Sequence, residues 1–264
     1  MKVGLVLYNI GEFEQSIAAF KRLVADYPSS STAKEAITNA RSVYVDIGSV
    51  ASYATWLETL SFVNVSSSAL DSTSYESAEL QYLKGDNASA YSNFLSYLQN
   101  YPEGAFLLPA HYYLAKSATE IDSLDQAIAS YEYISSASSN KFSQSSIKES
   151  ALLYMSLQQY SSALIKFEKL DLIAETVEEQ LYAKQGLMDC YYELGAFDKA
   201  IEQAEIVLNS GRVDESLILE LNTFIARSAF LNLDLNLARE KYTIIELKSQ
   251  GDLKAEAMYH LAYA

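Results

Sequence analysis

Cysteine, proline, glycine and positive charge are all scarce in this chain of 264 residues. One cysteine, Cys190, excludes an intrachain disulfide and a cysteine-based zinc site. Three prolines and nine glycines fall far below the average of about 5% and 7%. That deficit argues against a turn-rich all-β protein and for long helices. Only 19 Lys and Arg stand against 34 Asp and Glu, a net charge of −15. Such a surface repels phosphate backbones and anionic lipid, so neither nucleic acid nor a membrane surface is expected as a partner. No apolar run approaches the roughly 18 residues that a membrane span needs. The stretch Val3–Leu7 behind Met1-Lys2 is too short for a signal sequence and lacks a small-residue cleavage site.

What the chain does have is a repeat. Half of its residues are hydrophobic, with 21 Tyr, 10 Phe and one Trp. A small-residue column runs Ser16, Tyr53, Ala90, Ala127, Ala163, Ala200, Ala238, at spacings close to 37. Four residues after each member comes a bulky column: Phe20, Leu57, Phe94, Tyr131, Phe167, Ala204, Tyr242. Three residues before lies a third: Phe13, Val50, Asn87, Leu124, Tyr160, Phe197, Leu235. Seven registered copies identify an internal repeat, and the repeat decides the fold.

Each unit reads as a helical hairpin. A first helix closes at Gly11, Gly48, Gly85 or Gly195, since glycine takes up the left-handed conformation without steric cost. Asp122, Gln158 and Leu233 replace it in the other copies. In the second helix the small residue admits a close neighbour, and the aromatic one turn later fills the space beside it. Tyr27-Pro28 and Tyr101-Pro102 stop the chain, because proline cannot continue a helix. A lone hairpin leaves an apolar face bare and must stack on its neighbours. In the second copy Tyr53 stands where a small residue belongs, which predicts a splayed or rotated hairpin.

This pattern resembles the tetratricopeptide repeat (TPR) family over essentially the whole chain. Tyr154 and Tyr191 match the family's first-helix aromatic; Ala78, Ala115, Ala151 and Ala226 match its small position. The resemblance implies an all-α fold, a right-handed α-α superhelix of about seven hairpins with a repeat of about 37 residues. Residues 1–264 are read as a single array. Gly11 is too near Met1 for a full first helix, and 255–264 begins another, so the array is expected to be a segment of a longer solenoid. Leu5, Val6 and Leu7 at one end, and Met258, Leu261 and Tyr263 at the other, look like interior residues. Uncapped ends of that kind predict concentration-dependent self-association. The longer unit, Tyr27-Pro28-Ser29-Ser30-Ser31 and the segment Phe94 to Leu114 resemble more narrowly the repeats of bacterial envelope scaffolds. These are the Tol-Pal accessory protein and outer-membrane assembly lipoproteins. That likeness implies the periplasm or cell envelope, with a cytoplasmic adaptor, or the accessory part of a larger enzyme, as alternatives.

No catalytic or metal site is expected, and no cofactor. His111 and His260 both lie among apolar residues of helices and read as packed side chains. There is no zinc-binding His-Glu motif, phosphate loop, dinucleotide fingerprint or hydrolase elbow. Glu178-Glu179 point about 100° apart on a helix and do not converge. Cys190 reads as a small buried apolar residue. Asn64-Val65-Ser66 and Asn87-Ala88-Ser89 fit the glycosylation sequon, but Asn87 already belongs to the helix-start column. The serine runs 66–68 and 135–146 read as loops and helix caps.

In the family the first helices line the concave groove. Register and helical spacing place Tyr75, Glu79, Tyr82, Tyr112, Lys116, Lys148, Tyr182, Asp189, Tyr192 and Arg227 on that face. A tyrosine-rich groove suits recognition of an extended peptide or helix, because tyrosine offers area and a polar tip at small entropic cost. Chaperone-binding members clamp a peptide carboxylate with a Lys followed four residues later by an Asn. The corresponding pairs here, among them Tyr75/Glu79, Tyr112/Lys116, Gln185/Asp189 and Thr223/Arg227, do not match it. The expected function is a non-catalytic scaffold for a protein or peptide partner.

Overall fold

The computed structural model describes residues 1–64 and 66–263, so the sequon that includes Val65 lies outside the described residues. Among the described residues there are fifteen helices and no strand. They fall into two compact units, Met1–Phe142 and Ser143–Ala264. The first holds α1 (Lys2–Asn9), α2 (Phe13–Asp26), α3 (Ser31–Asp46), α4 (Val50–Glu58), α5 (Ser67–Leu83), α6 (Asn87–Asn100), α7 (Leu107–Glu120) and α8 (Leu124–Ser136). The second holds α9 (Ser143–Ser156), α10 (Tyr160–Ile173), α11 (Val177–Glu193), α12 (Phe197–Leu208), α13 (Glu215–Leu231), α14 (Leu235–Lys248) and α15 (Gly251–Tyr263). The odd helices α1 to α13 are the first helices of the hairpins, each packed on the even helix that follows it, and α15 packs on α14.

The three sequence columns explain this arrangement. All seven members of the small column are buried, from Ser16 to Ala238, and so are all seven of the bulky column. Phe20, Phe94 and Tyr242 are at most 1% exposed. The start column opens α2, α4, α6, α8, α10, α12 and α14 in turn. Full burial of a large apolar side chain is worth about 1.5–3 kcal/mol, so the six large members of the bulky column contribute on the order of 10 kcal/mol together.

The turns are uniform even where the residues are not. Gly11, Gly48, Gly85 and Gly195 have φ between 72° and 81°. Asp122, Gln158 and Leu233 adopt the same left-handed conformation, at 60°, 57° and 64°. The hairpin geometry therefore imposes a strained backbone on three non-glycine residues. Left-handed geometry costs an ordinary residue about 1–2 kcal/mol, which packing of the flanking helices offsets.

Capping follows sequence as well. Ser30, Ser66, Asp86, Asp214 and Asp234 accept a hydrogen bond from the backbone three residues on. Thr176 and Glu179 form a reciprocal capping box at the start of α11. The later serine run departs from the loop expectation: Ser135 is buried in α8 and Ser146 in α9.

The second hairpin is the irregular one. α4 stops after nine residues, and α3 packs directly against α5 beside it. Tyr53, in the small column, is only 5% exposed and takes up its space with Tyr44 and Trp56 at ring distances of 5.6 and 6.2 Å. In this hairpin a ring fills the place that a serine or alanine takes in the others.

α1 spans eight residues against 14 to 17 in the first helices α3 to α13. Leu5 packs into the cluster around Phe20, whereas Val6 is 58% exposed. In α15, Leu261 packs inward while Met258 and Tyr263 are exposed.

Candidate functional site

The expected groove residues separate by unit. In the first unit they are largely consumed by packing. Tyr75 is 8% exposed: its ring stacks on Phe106 at 4.6 Å and meets Phe94 and Tyr97 at 6.1 and 5.9 Å. Its hydroxyl donates to Glu79 Oε1 at 2.8 Å, and burial raises its pKa. Tyr75 is thus a core residue, and its placement on an open face is corrected. The reason is that α5 and α7 approach closely enough for the Phe106 ring to cover it. Tyr82 is half-buried against Tyr113 at 4.9 Å. Tyr112 stacks on Phe142 at 4.7 Å, with the Lys116 ammonium 5.6 Å from its ring.

Two clusters in this unit escaped sequence reasoning. Asp71, 8% exposed, accepts a hydrogen bond from the Tyr97 hydroxyl at 2.6 Å and another from the Ala105 N–H at 2.9 Å. The same hydroxyl accepts from the Phe106 N–H at 3.1 Å, tying α5, α6 and the loop before α7. Gly104 approaches this hydroxyl so closely that a Cβ would lie 2.5 Å from it. No local motif announces Asp71, because its partners lie 26 and 34 residues away. Polar ties also link successive first helices. Asp46 accepts from Tyr8 at 2.9 Å and pairs with Lys84 at 2.8 Å, and Arg41 bonds Thr73 at 2.9 Å and pairs with Glu76.

In the second unit the first-helix face is open. α11 presents Glu178, Tyr182, Gln185, Asp189 and Tyr192 at spacings of three and four, one stripe along the helix. A cleft of about 570 Å³ opens where the C-terminal half of this stripe meets α13 and α15. Three expected residues line it, Asp189, Tyr192 and Arg227, together with Leu219, Phe224 and Leu253. Glu193 and Glu220 add two more carboxylates to its walls. The Tyr192 ring lies 5.3 Å from Phe224 and 5.6 Å from Phe197, which fixes it as part of the floor. Arg227 is held by a bidentate pair with Glu256, at 2.7 and 2.6 Å. Its charge is thereby spent within the fold. Loss of water, with Glu193 and Glu220 nearby, pushes the Asp189 carboxyl up to about 6.

A second cleft, of about 430 Å³, lies at the other end of α11 against α9 and α10, with Lys148, Glu149, Leu170, Glu178 and Tyr182 in its lining. The Lys148 ammonium stands 4.3 Å from the Tyr182 ring centroid, a cation–π contact. The Tyr182 hydroxyl has a raised pKa, mainly from burial and then from Glu149.

The residues with chemical potential are packed. The ring of His111 stacks on Tyr133 at 3.8 Å, and burial pulls its pKa down to about 4. His260 stacks on Tyr242 at 4.7 Å and meets Phe230 edge-on at 4.5 Å. Cys190 is fully buried and its thiol is pushed up to about 12, so it is not a thiolate at neutral pH. Among the described residues no group of His, Cys, Asp and Glu could hold a metal ion, and no helix is long and apolar enough to cross a membrane.

Comparison with known proteins bears on the fold. The tetratricopeptide repeat family model matches residues 1–30, the first hairpin. No curated protein matches the chain. Among solved structures, Naa15/Naa10 bound to HypK-THB is similar over 99% of this chain and 38% of that one, with 12% identity and a TM-score of 0.56. The apo form of RapI is similar over 100% of this chain and 80% of that one, with 10% identity and a TM-score of 0.51. The fold of this chain is the helical-hairpin array of tetratricopeptide repeat proteins, and its first hairpin carries that family's sequence pattern.

Proposed function

We propose that this chain is a non-catalytic scaffold that binds a protein or peptide partner on the first-helix face of its second unit. The cleft of about 570 Å³ between α11, α13 and α15 carries the proposal. It combines an aromatic and aliphatic floor with polar walls, the pattern of a recognition site. It is also where the expected groove residues Asp189, Tyr192 and Arg227 converge. The narrower reading is a role in bacterial envelope assembly, in the periplasm or at the cell envelope, supported by the likeness of the Phe94–Leu114 segment to envelope scaffolds. A cytoplasmic adaptor is the second reading.

The test compares cross-linked partners of the wild-type chain with those of a Tyr182→Ala, Tyr192→Ala, Phe224→Ala variant, in extracts fractionated into envelope and soluble parts. These three rings are half-buried, so helicity by circular dichroism must first be shown unchanged. Loss of a reproducible envelope partner supports both the site and the compartment. A partner lost from the soluble fraction alone favours the adaptor, and identical partners for both proteins sink the groove.

A further inference from the structure

The cleft between α11, α13 and α15 is lopsided in charge, and that asymmetry restricts what fits. Its floor is apolar: Tyr192, Leu219, Phe224 and Leu253. Its walls carry Asp189, Glu193 and Glu220, and the lone cation of the lining, Arg227, is already neutralised by Glu256. Glu193 is further engaged by the Tyr160 hydroxyl, whose own pKa rises partly through that bond. Asp189 and Glu220 stand on different helices, so a group entering between α11 and α13 meets carboxylates from both sides. An anionic segment would be repelled here, and a purely apolar one would leave these carboxylates partly dehydrated without compensation.

We propose that the occupant of this cleft is a cationic amphipathic segment of a partner protein, with a bulky apolar side chain on the Tyr192–Phe224 floor and a Lys or Arg between Asp189 and Glu220. The inference rests on the scaffold reading above and goes beyond it by fixing the partner's chemistry. Two arguments support it. The first is charge complementarity, since the walls hold three carboxylates and no unspent positive charge among the lining residues. The second is the state of Asp189, which is held up at about 6 by lost water, Glu193 and Glu220. A cation beside it relieves what raises it. Binding then favours the ionised form, so affinity falls as pH drops through about 6, while a Lys or Arg on the partner keeps its charge. The charged groups facing Asp189 are Glu193 on its own helix and, on α13, Glu220 and Arg227, the last paired with Glu256 of α15.

The test uses the full chain and a random fifteen-residue peptide library displayed on phage. Selection on the wild type is expected to enrich peptides with Lys or Arg beside a large apolar residue. Labelled copies of those peptides should lose about tenfold in affinity on Asp189→Asn combined with Glu220→Gln. They should lose little on the charge-matched control Glu205→Gln combined with Glu246→Gln on α12 and α14. Equal loss on both variants reduces the effect to net charge and overturns the proposal. Selected peptides that are neutral or acidic, yet lose binding on Phe224→Ala, also overturn it while leaving the groove standing. Peptides indifferent to Phe224→Ala, or no peptides at all, sink both the proposal and the groove.

Discussion

The faces built by the first helices of the two units start from one kind of sequence and end as different surfaces. Around α5 and α7, Tyr75, Tyr82 and Tyr112 are covered by Phe106, Tyr113 and Phe142. Around α11 and α13, Tyr182 and Tyr192 border clefts of about 430 and 570 Å³. Tyrosine count does not separate them. What does is how the neighbouring ring lies: Phe106 and Phe142 stack on Tyr75 and Tyr112 at 11° and 27°, whereas Phe224 meets Tyr192 at 49° beside an open cleft. In the first unit Phe106 precedes α7 and Phe142 follows α8, and both rings close over the face. A tyrosine-rich helix face closes where a neighbouring ring stacks flat upon it.

The sharpest way to break this comparison is to remove one tyrosine from each face. Tyr75→Ala is expected to cost about 4 kcal/mol of stability, as a buried aromatic does. Tyr192→Ala, on the half-exposed floor of the cleft, is expected to cost less and to act on partner binding as well. Urea denaturation of the two variants decides it, and equal losses would make both faces core.

Next in size is the buried carboxylate. Asp71→Ala leaves the Tyr97 hydroxyl and the Ala105 N–H without their acceptor and is expected to cost about 3 kcal/mol. A urea midpoint close to wild type would mean that water replaces the side chain.

The units should also answer acid in opposite directions. His111 is depressed to about 4 in the folded first unit, so acidification favours its protonation in the unfolded chain. Stability is full above the unfolded pKa near 6.5 and falls as pH drops toward 4, by about 2 kcal/mol. Asp189 is raised to about 6 from 3.8, so the folded second unit binds the proton more readily. Stability therefore rises as pH falls from about 7 toward 4, by a smaller amount because water screens this partly exposed group. Thermal melts of His111→Phe and Asp189→Asn against wild type at pH 7.5 and 5 check both signs. Removing His111 should flatten the acid loss, and removing Asp189 should deepen it.

The smallest effect concerns the turns. Leu233 holds φ at 64° while 82% exposed, so glycine relieves strain there at little cost in packing. Leu233→Gly is expected to stabilise by about 1 kcal/mol. A loss of stability would show that glycine's greater freedom in the unfolded chain outweighs that relief.

How far the sequence reveals this molecule depends on the distance between the residues that matter. The hairpins and their cores were legible because small, bulky and turn positions recur within one unit, so the pattern repeats its own evidence. Asp122, Gln158 and Leu233 could be placed in the turn column by register alone, although glutamine and leucine rarely adopt the conformation seen there. The site was only half legible. Helical spacing puts Tyr75 and Tyr192 on equivalent stripes, but whether a ring is covered depends on residues such as Phe106, 31 positions away. The bond between Arg227 and Glu256 was hidden for the same reason, as was the carboxylate Asp71.

The polar ties between first helices have a mechanical consequence. Tyr8 to Asp46 and Asp46 to Lys84 each span 38 residues, Arg41 to Glu76 spans 35, and Arg227 to Glu256 spans 29. Each joins a hairpin to its immediate neighbour, so the links form a series and not a web. A chain pulled from its two ends in an optical trap would then yield in steps. Each step would release one hairpin of some 37 residues, about 120 Å of extended chain. The hairpin holding α4, the shortest of the second helices, would be the first to let go in its unit.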